Sequence, residues 1–285
     1  MIAVRWWIAT LGLAACNQVF GTDHVRELDA ADTRLLKPPA QTDACPAAPD
    51  LATWKLAPRA YPGVNGSAIH PTFLDDDHVV FNYQGKFYQG GLEDPPTKLV
   101  GLDDDTGAML YGASAAPGGD VFWYERYSNL GAGLYYARAV GDRWLAHTAN
   151  FDVVAYSLEP GSAAFYAGEV RMVVAIQPKV DGRWELHELG SPDGETWRDL
   201  GVLPFAAAGS DAIDPMLSSD GCVLVYSINE LSLWIAIRQP DGAFAPAVRF
   251  PGTETFPGVH QPAISPNRAL IWFDAPETGA FQVTP

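Results

Sequence analysis

Only three of the 285 residues are cysteine, so a lattice of disulfides cannot hold this chain together, and no Cys/His spacing of a zinc site occurs. Basic residues are scarce too: 18 Lys and Arg stand against 34 Asp and Glu, for a net charge of -16. That balance repels phosphate backbones and anionic lipid surfaces, which excludes nucleic acid as an expected partner. Long apolar runs are missing after the first fifteen residues, so no later segment is expected to cross a bilayer as a helix. A Gly-rich phosphate loop and a nucleophile elbow are missing as well. No cofactor and no metal is expected, and the acidity is first a device for solubility.

What is present begins with an export signal at 1–15: Arg5, then an apolar run too short to span a bilayer. The run ends in Leu13-Ala14-Ala15-Cys16, which resembles the lipobox of bacterial lipoproteins. The resemblance implies that Cys16 becomes a lipidated mature N-terminus and that the protein meets the membrane through this anchor. Asn17 stands where an Asp would favour inner-membrane retention in that family, so the expected address is the outer membrane, facing the periplasm or the cell surface. Residues 16–50, with Pro38, Pro39, Pro46 and Pro49, read as a flexible tether, and 51–285 as one domain. With Cys16 acylated, Cys45 and Cys222 are left. A Cys45–Cys222 disulfide pinning tether to domain fits this count, and so do two unpaired thiols.

The domain is built from copies of one unit. DPMLSSDGCVLVYS at 214–227 recurs as QPAISPNRALIWFDA from Gln261 and HPTFLDDDHVVFNY from His70. A polar residue precedes Pro, a short apolar stretch follows, and a polar turn leads into a β-branched and aromatic strand. Two further strands, at 233–238 and 244–250, complete a four-stranded unit of propeller-blade size. Pro71, Pro160, Pro215 and Pro262 open the copies, and the first gap is about twice the others. A degenerate copy with Val121-Phe122-Trp123-Tyr124 fills that gap, next to Gly112-Ala113. The expectation is an all-β, five-bladed β-propeller of four-stranded antiparallel blades. The last copy lacks a fourth strand, and Trp54-Lys55-Leu56-Ala57-Pro58 is expected to close the ring by pairing with it.

The repeated phrase resembles the WD-repeat-like propeller repeat of TolB-type periplasmic proteins, which implies a binding or scaffold role and no shared reaction. Ser191-Pro192-Asp193-Gly194-Glu195-Thr196-Trp197 resembles the Asp-box of sialidases, a hairpin brace that is structural even in enzymes. Asp214-Pro215 after that hairpin also resembles five-bladed arabinanase-like glycosidases, which implies a carboxylate pair, here Glu159 and Asp214. The first unit has His70 where those enzymes place an acid.

One polar residue per unit, His70, Glu159, Asp214 and Gln261, is expected near the channel mouth, where a ligand would be sought. His70 and His260 with Asp214 and Glu159 have no metal-ligand spacing, and rim residues satisfied by backbone groups are the plainer expectation. The triplets at 75–77 and 103–105 read as solvated turns rather than calcium loops. Trp123, Tyr124, Tyr135, Tyr136, Trp234, Trp272 and Phe273 read as inter-blade core. The leading functional expectation is a binding or scaffold module for an envelope protein or a glycan, with the glycosidase as the alternative.

Overall fold

The computed structural model describes residues 36, 45 and 53–58 and, from 69 to 284, all but 84, 92–94, 103–108, 129–130, 152, 154, 206–208, 254–255, 257 and 276–278. The expected signal peptide, Cys16, most of the tether and the triplet at 103–105 lie outside the described residues. The chain divides into Met1–Leu35 and Leu36–Pro285, and all described residues belong to the second unit. Among them no helix is long and apolar enough to cross a membrane.

Short apolar strands separated by Gly-, Asp- and Pro-bearing turns give an all-β chain. After β1 (Lys55–Pro58), sheet 1 holds β2 (Ile69–Phe73), β3 (His78–Tyr83), β4 (Lys86–Gly91) and β5 (Thr97–Lys98). Sheet 2 holds β6 (Met109–Ala115), β7 (Val121–Ser128), β8 (Gly131–Val140) and β9 (Arg143–Thr148). Sheet 3 combines β10 (Asn150–Phe151) with β11 (Ser157–Tyr166), β12 (Glu169–Gln177), β13 (Glu185–Ser191) and β14 (Thr196–Val202). Sheet 4 is β15 (Ala212–Leu217), β16 (Val223–Ile228), β17 (Ser232–Ile237) and β18 (Val248–Arg249). Sheet 5 is β19 (His260–Ile264), β20 (Ile271–Ala275), β21 (Gly279–Thr284) and β1. The innermost strands pack in a cycle, β2 on β6, β6 on β11, β11 on β15, β15 on β19 and β19 back on β2. This is the propeller arrangement expected of the repeats.

Sheet 3 departs from the four-stranded antiparallel expectation. Asn150 and Phe151 add to it as a fifth, parallel strand, in register with Thr196 and Trp197. The Asn150 amide is held at 2.8 Å by the Glu195 carbonyl, which draws this connection onto the sheet edge. β1 pairs antiparallel with β21, Lys55 opposite Thr284 and Pro58 opposite Phe281, as the likeness of this segment to an outer strand had suggested. Trp54 is drawn in with it, edge-on to Phe250 at 5.9 Å between ring centroids.

The core lies between sheets. Phe87, Phe122 and Tyr124 join sheets 1 and 2, Trp123 meets Trp197 edge-on across sheets 2 and 3, and Phe73 packs with Trp272 across sheets 1 and 5. Trp123, Tyr124, Tyr136, Trp272 and Phe273 are buried as expected, and Tyr135 and Trp234 are partly buried against the same clusters. Each fully buried aromatic of this size contributes about 2–3 kcal/mol of hydrophobic transfer, so these seams hold the sheets together. The segment before β1 is fixed at two points. Leu36 donates its amide to the Asp193 carbonyl at 2.9 Å in sheet 3, and Cys45 is disulfide-bonded to Cys222 in sheet 4.

Candidate functional site

Every innermost strand carries the same irregularity. Between Ile69 and Thr72, β2 advances three residues while β3 advances two, and the same shift recurs at 111–114, 160–163, 213–216 and 260–263. Each is a β-bulge in which two residues oppose one. The bulged pairs are His70-Pro71, Gly112-Ala113, Gly161-Ser162, Asp214-Pro215 and Gln261-Pro262. The first residue is in the left-handed region at His70, Gly112, Asp214 and Gln261, with φ of 51°, 57°, 52° and 52°. Glycine adopts that conformation freely, and Asp and His tolerate it better than most residues. Proline in the second place removes an N–H that a bulge would leave unpaired.

The remaining bulge amide is satisfied from the neighbouring sheet. Glu159 Oε2 accepts the Asp214 amide at 3.4 Å, Asp214 Oδ2 accepts the Gln261 amide at 3.1 Å, and Gln261 Oε1 accepts the His70 amide at 3.2 Å. The polar side chains therefore form a relay in which each one clamps the next bulge. Amide bonds to a carboxylate are worth about 1.5–3 kcal/mol; two of the three bonds are of that kind, and together the three hold the side chains of Glu159, Asp214 and Gln261 in one arc. Ser227 on β16 donates Oγ to Asp214 Oδ2 at 2.7 Å, which settles the rotamer of that carboxylate. Asp214 Oδ1 is left facing His70 Nδ1 at 3.7 Å. One donor atom each from His70, Glu159 and Asp214 lies within 4.8 Å of the others, with His70 and Asp214 buried and Glu159 partly exposed.

Negative charge is crowded here. Burial holds Glu159 well above the usual carboxylate range, and the charges of Asp214 and then Glu125 push it further in the same direction. Glu125 on β7 is buried, and burial raises its carboxyl to about 7, against the lowering effect of the bonds from Ser157 Oγ at 2.9 Å and the Leu158 amide at 3.3 Å.

The structure thus brings His70, Glu159, Asp214 and Gln261 together, but not as equivalent positions. The Pro-anchored alignment that equates Glu159 with Asp214 is off by two: the bulge of β11 is Gly161-Ser162, and Glu159 precedes it. Gly161 sits so close to sheet 4 that a Cβ would lie 2.0 Å from the Pro215 carbonyl oxygen. No side chain fits there, and Glu159, two residues earlier and on the same strand face, supplies the carboxylate instead. Glu125 escaped the sequence reading, since a lone acid in an aromatic strand carries no motif. Its one signal was register: it occupies the position that Asn82, Val174, Ser227 and Asp274 hold in the second strands of the other sheets. The side chain of His260 lies outside the described residues.

The other motifs brace turns. Ser191 Oγ accepts the Gly194 amide at 2.7 Å, Asp193 Oδ1 accepts those of Glu195 and Thr196, and Trp123 and Trp197 both donate Nε1–H to the Gly194 carbonyl at 3.0 Å. Asp75 Oδ1 caps its own turn through the amides of Asp77 and His78. A cavity of about 620 Å³ between sheets 1 and 2 is lined by hairpin residues such as His78, Gly118 and Trp144, and none of the four relay residues reaches it.

No protein-family model and no curated protein matches the sequence. Among solved structures the chain is similar to fructan 1-exohydrolase IIa of Cichorium intybus, at 13% identity over 79% of this chain and 57% of that chain, with a TM-score of 0.54. The fold is a β-propeller. The chain spans little more than half the length of that exohydrolase, and the likeness is one of fold alone. It is also similar to a TolB of Agrobacterium tumefaciens, at 15% identity over 73% of this chain and 69% of that one with a TM-score of 0.48. The β-propeller domain of Cps50 (Swd1) of Myceliophteria thermophila matches at 13% identity over 73% and 66%, with a TM-score of 0.43.

Proposed function

We propose that this chain is an exported, lipid-anchored propeller of five blades, the five sheets being the blades, which binds a protein or glycan of the bacterial envelope. The address rests on Arg5, the short apolar run and the Leu13-Ala14-Ala15-Cys16 ending. The observation that carries binding over catalysis is the relay itself. Glu159, Asp214 and Gln261 spend side-chain oxygens on backbone amides of the next sheet, which suits a rigid recognition surface.

The rival reading, an arabinanase-like glycosidase using Glu159 and Asp214, has one point in its favour: the environment of Glu159 favours the protonated acid. Geometry opposes it. Donor atoms of the two carboxylates lie within 4.8 Å of each other, closer than the ~6.5–9.5 Å between carboxyl groups that leaves room for the water of an inverting enzyme. Each also spends an oxygen on a backbone amide of the next sheet, which a catalytic carboxylate would need free.

Two measurements test the proposal. Mass spectrometry of the mature protein is expected to find acyl chains on Cys16, and an unmodified Cys16 removes the anchor. Incubation with arabinan and with p-nitrophenyl arabinofuranoside is expected to release no sugar. Release that disappears in Asp214→Asn replaces the binding reading with the enzymatic one.

A further inference from the structure

We infer that His70, Glu159 and Asp214 form a binding site for one divalent transition-metal ion of the zinc class at the centre of the propeller. The inference holds whether the propeller binds or cuts, because it rests on donor atoms and not on a ligand beyond the metal.

Three observations carry it. First, the donors come from three different innermost strands, β2, β11 and β15, and their ligating atoms lie within 4.8 Å of one another, a spread that a metal of ordinary bond length closes with small side-chain rotations. Second, each carboxylate is split between two tasks. Asp214 commits Oδ2 to Ser227 Oγ and to the Gln261 amide and turns Oδ1 toward His70 Nδ1. Glu159 commits Oε2 to the Asp214 amide, and among the described residues Oε1 has no hydrogen-bond donor. An outer shell that holds one oxygen and aims the other is how proteins orient carboxylate ligands.

Third, the donor set is acidic: two carboxylates, Glu159 and Asp214, meet a single imidazole, His70. A dication resolves that crowding, whereas a monocation would leave it in excess.

The donor set also selects the metal. Calcium and magnesium ask for about six or more oxygen ligands or several retained waters, and only two carboxylates are offered here. One imidazole with two carboxylates suits zinc or a neighbouring first-row ion, and three protein ligands leave a fourth position for water or an incoming group. The left-handed backbone at His70 and Asp214 is part of the device. It turns side chains from sheets 1 and 4, which have sheet 5 between them in the cycle, toward one point, and a regular ladder would direct them elsewhere.

The test uses the full chain, purified in detergent without an affinity tag, stripped with chelator and titrated with Zn²⁺, Mn²⁺ and Ca²⁺ by calorimetry, with metal content read by plasma mass spectrometry. One equivalent of Zn²⁺ is expected, with Ca²⁺ binding far weaker. His70→Asn and Asp214→Asn both tolerate the left-handed backbone and are expected to abolish stoichiometric binding. Glu159→Gln is expected to weaken it strongly, and Ser227→Ala, which touches only the orienting shell, by about 10–100-fold. If His70→Asn or Asp214→Asn fails to fold by circular dichroism, Glu159→Gln and Ser227→Ala decide. Absence of one tight equivalent, a preference for Ca²⁺, or Zn²⁺ affinity unchanged in Glu159→Gln and Ser227→Ala overturns the site. Zinc taken up at the exposed His78–Asp75 or the His187–Asp199 pair would show that last pattern.

Discussion

The innermost strands of sheets 3 and 4 perform the same turn with opposite materials. In sheet 4 the bulge is Asp214-Pro215, a side chain that reaches out and a ring that removes a donor. In sheet 3 it is Gly161-Ser162, and the glycine exists to make room, its missing Cβ lying against the carbonyls of Pro215 and Val173. One strand projects toward its neighbour and the other recedes to admit it. The carboxylate that sheet 3 owes to the relay is then supplied from Glu159, outside its bulge. A repeat conserved in backbone need not be conserved in which residue does the work.

The largest effect is expected where the receding strand is filled. Gly161→Ala places a Cβ 2.0 Å from one backbone oxygen and 2.6 Å from another, neither of which can yield without moving a sheet. A loss of at least about 4 kcal/mol, or failure to fold, is expected in chemical denaturation. Gly112→Ala in sheet 2 has φ of 57° but meets only a proline ring carbon at 3.0 Å, so a smaller loss of about 1–3 kcal/mol would confirm that Gly161 is set apart by contact and not by φ.

Next comes the strap across the same two sheets, which is held at Asp193 in one and Cys222 in the other. Cys222→Ala opens a loop with a sequence separation of 177, and about 2–5 kcal/mol is expected to be lost in thermal melts, with no further loss on adding reductant.

Sheet 3 also depends on Glu125, which holds its Ser157 and Leu158 from sheet 2. The Glu125 carboxyl is at about 7 folded and near 4.5 unfolded, so between those values the folded state binds the extra proton and stability falls as pH rises. Up to about 3 kcal/mol is expected to be lost from pH 4.5 to pH 7 in chelator-treated protein. Glu125→Gln, which still accepts both bonds, is expected to flatten that slope; an unchanged slope would show that Glu125 is not its source. The smallest effect is expected in sheet 4, where Ser227→Ala removes one bond to Asp214 and costs about 1 kcal/mol in the same melts.

The fold was legible because repetition is written in composition. The Asp214 phrase marked its own strands, and Trp54-Lys55-Leu56 announced a ring-closing strand by its likeness to an outer one. The bulges were half legible. Three of them show as a polar residue before proline, but Gly112-Ala113 and Gly161-Ser162 carry no such mark, and Pro160 offered a false one two residues early. Alternation of apolar and polar residues does not record a single inserted residue when strands are buried on both faces. The repeat already placed His70, Glu159, Asp214 and Gln261 near one channel mouth, but the approach of single ligand atoms of His70, Glu159 and Asp214 to within 4.8 Å was illegible, since residues so far apart in the chain are joined only when the sheets close into a cycle.

That closure has a kinetic side. The strand Lys55–Pro58 is synthesised before any sheet, and its partner Gly279–Thr284 after all the others, so their pairing is among the longest-range steps the chain can make. Until it happens, β1 and the far edge of β20 each present an unpaired row of amides and carbonyls to whatever chain is near. Cys45 and Cys222 both precede that last pairing in the sequence, and their cross-link keeps the waiting end of the chain beside the ring it must complete.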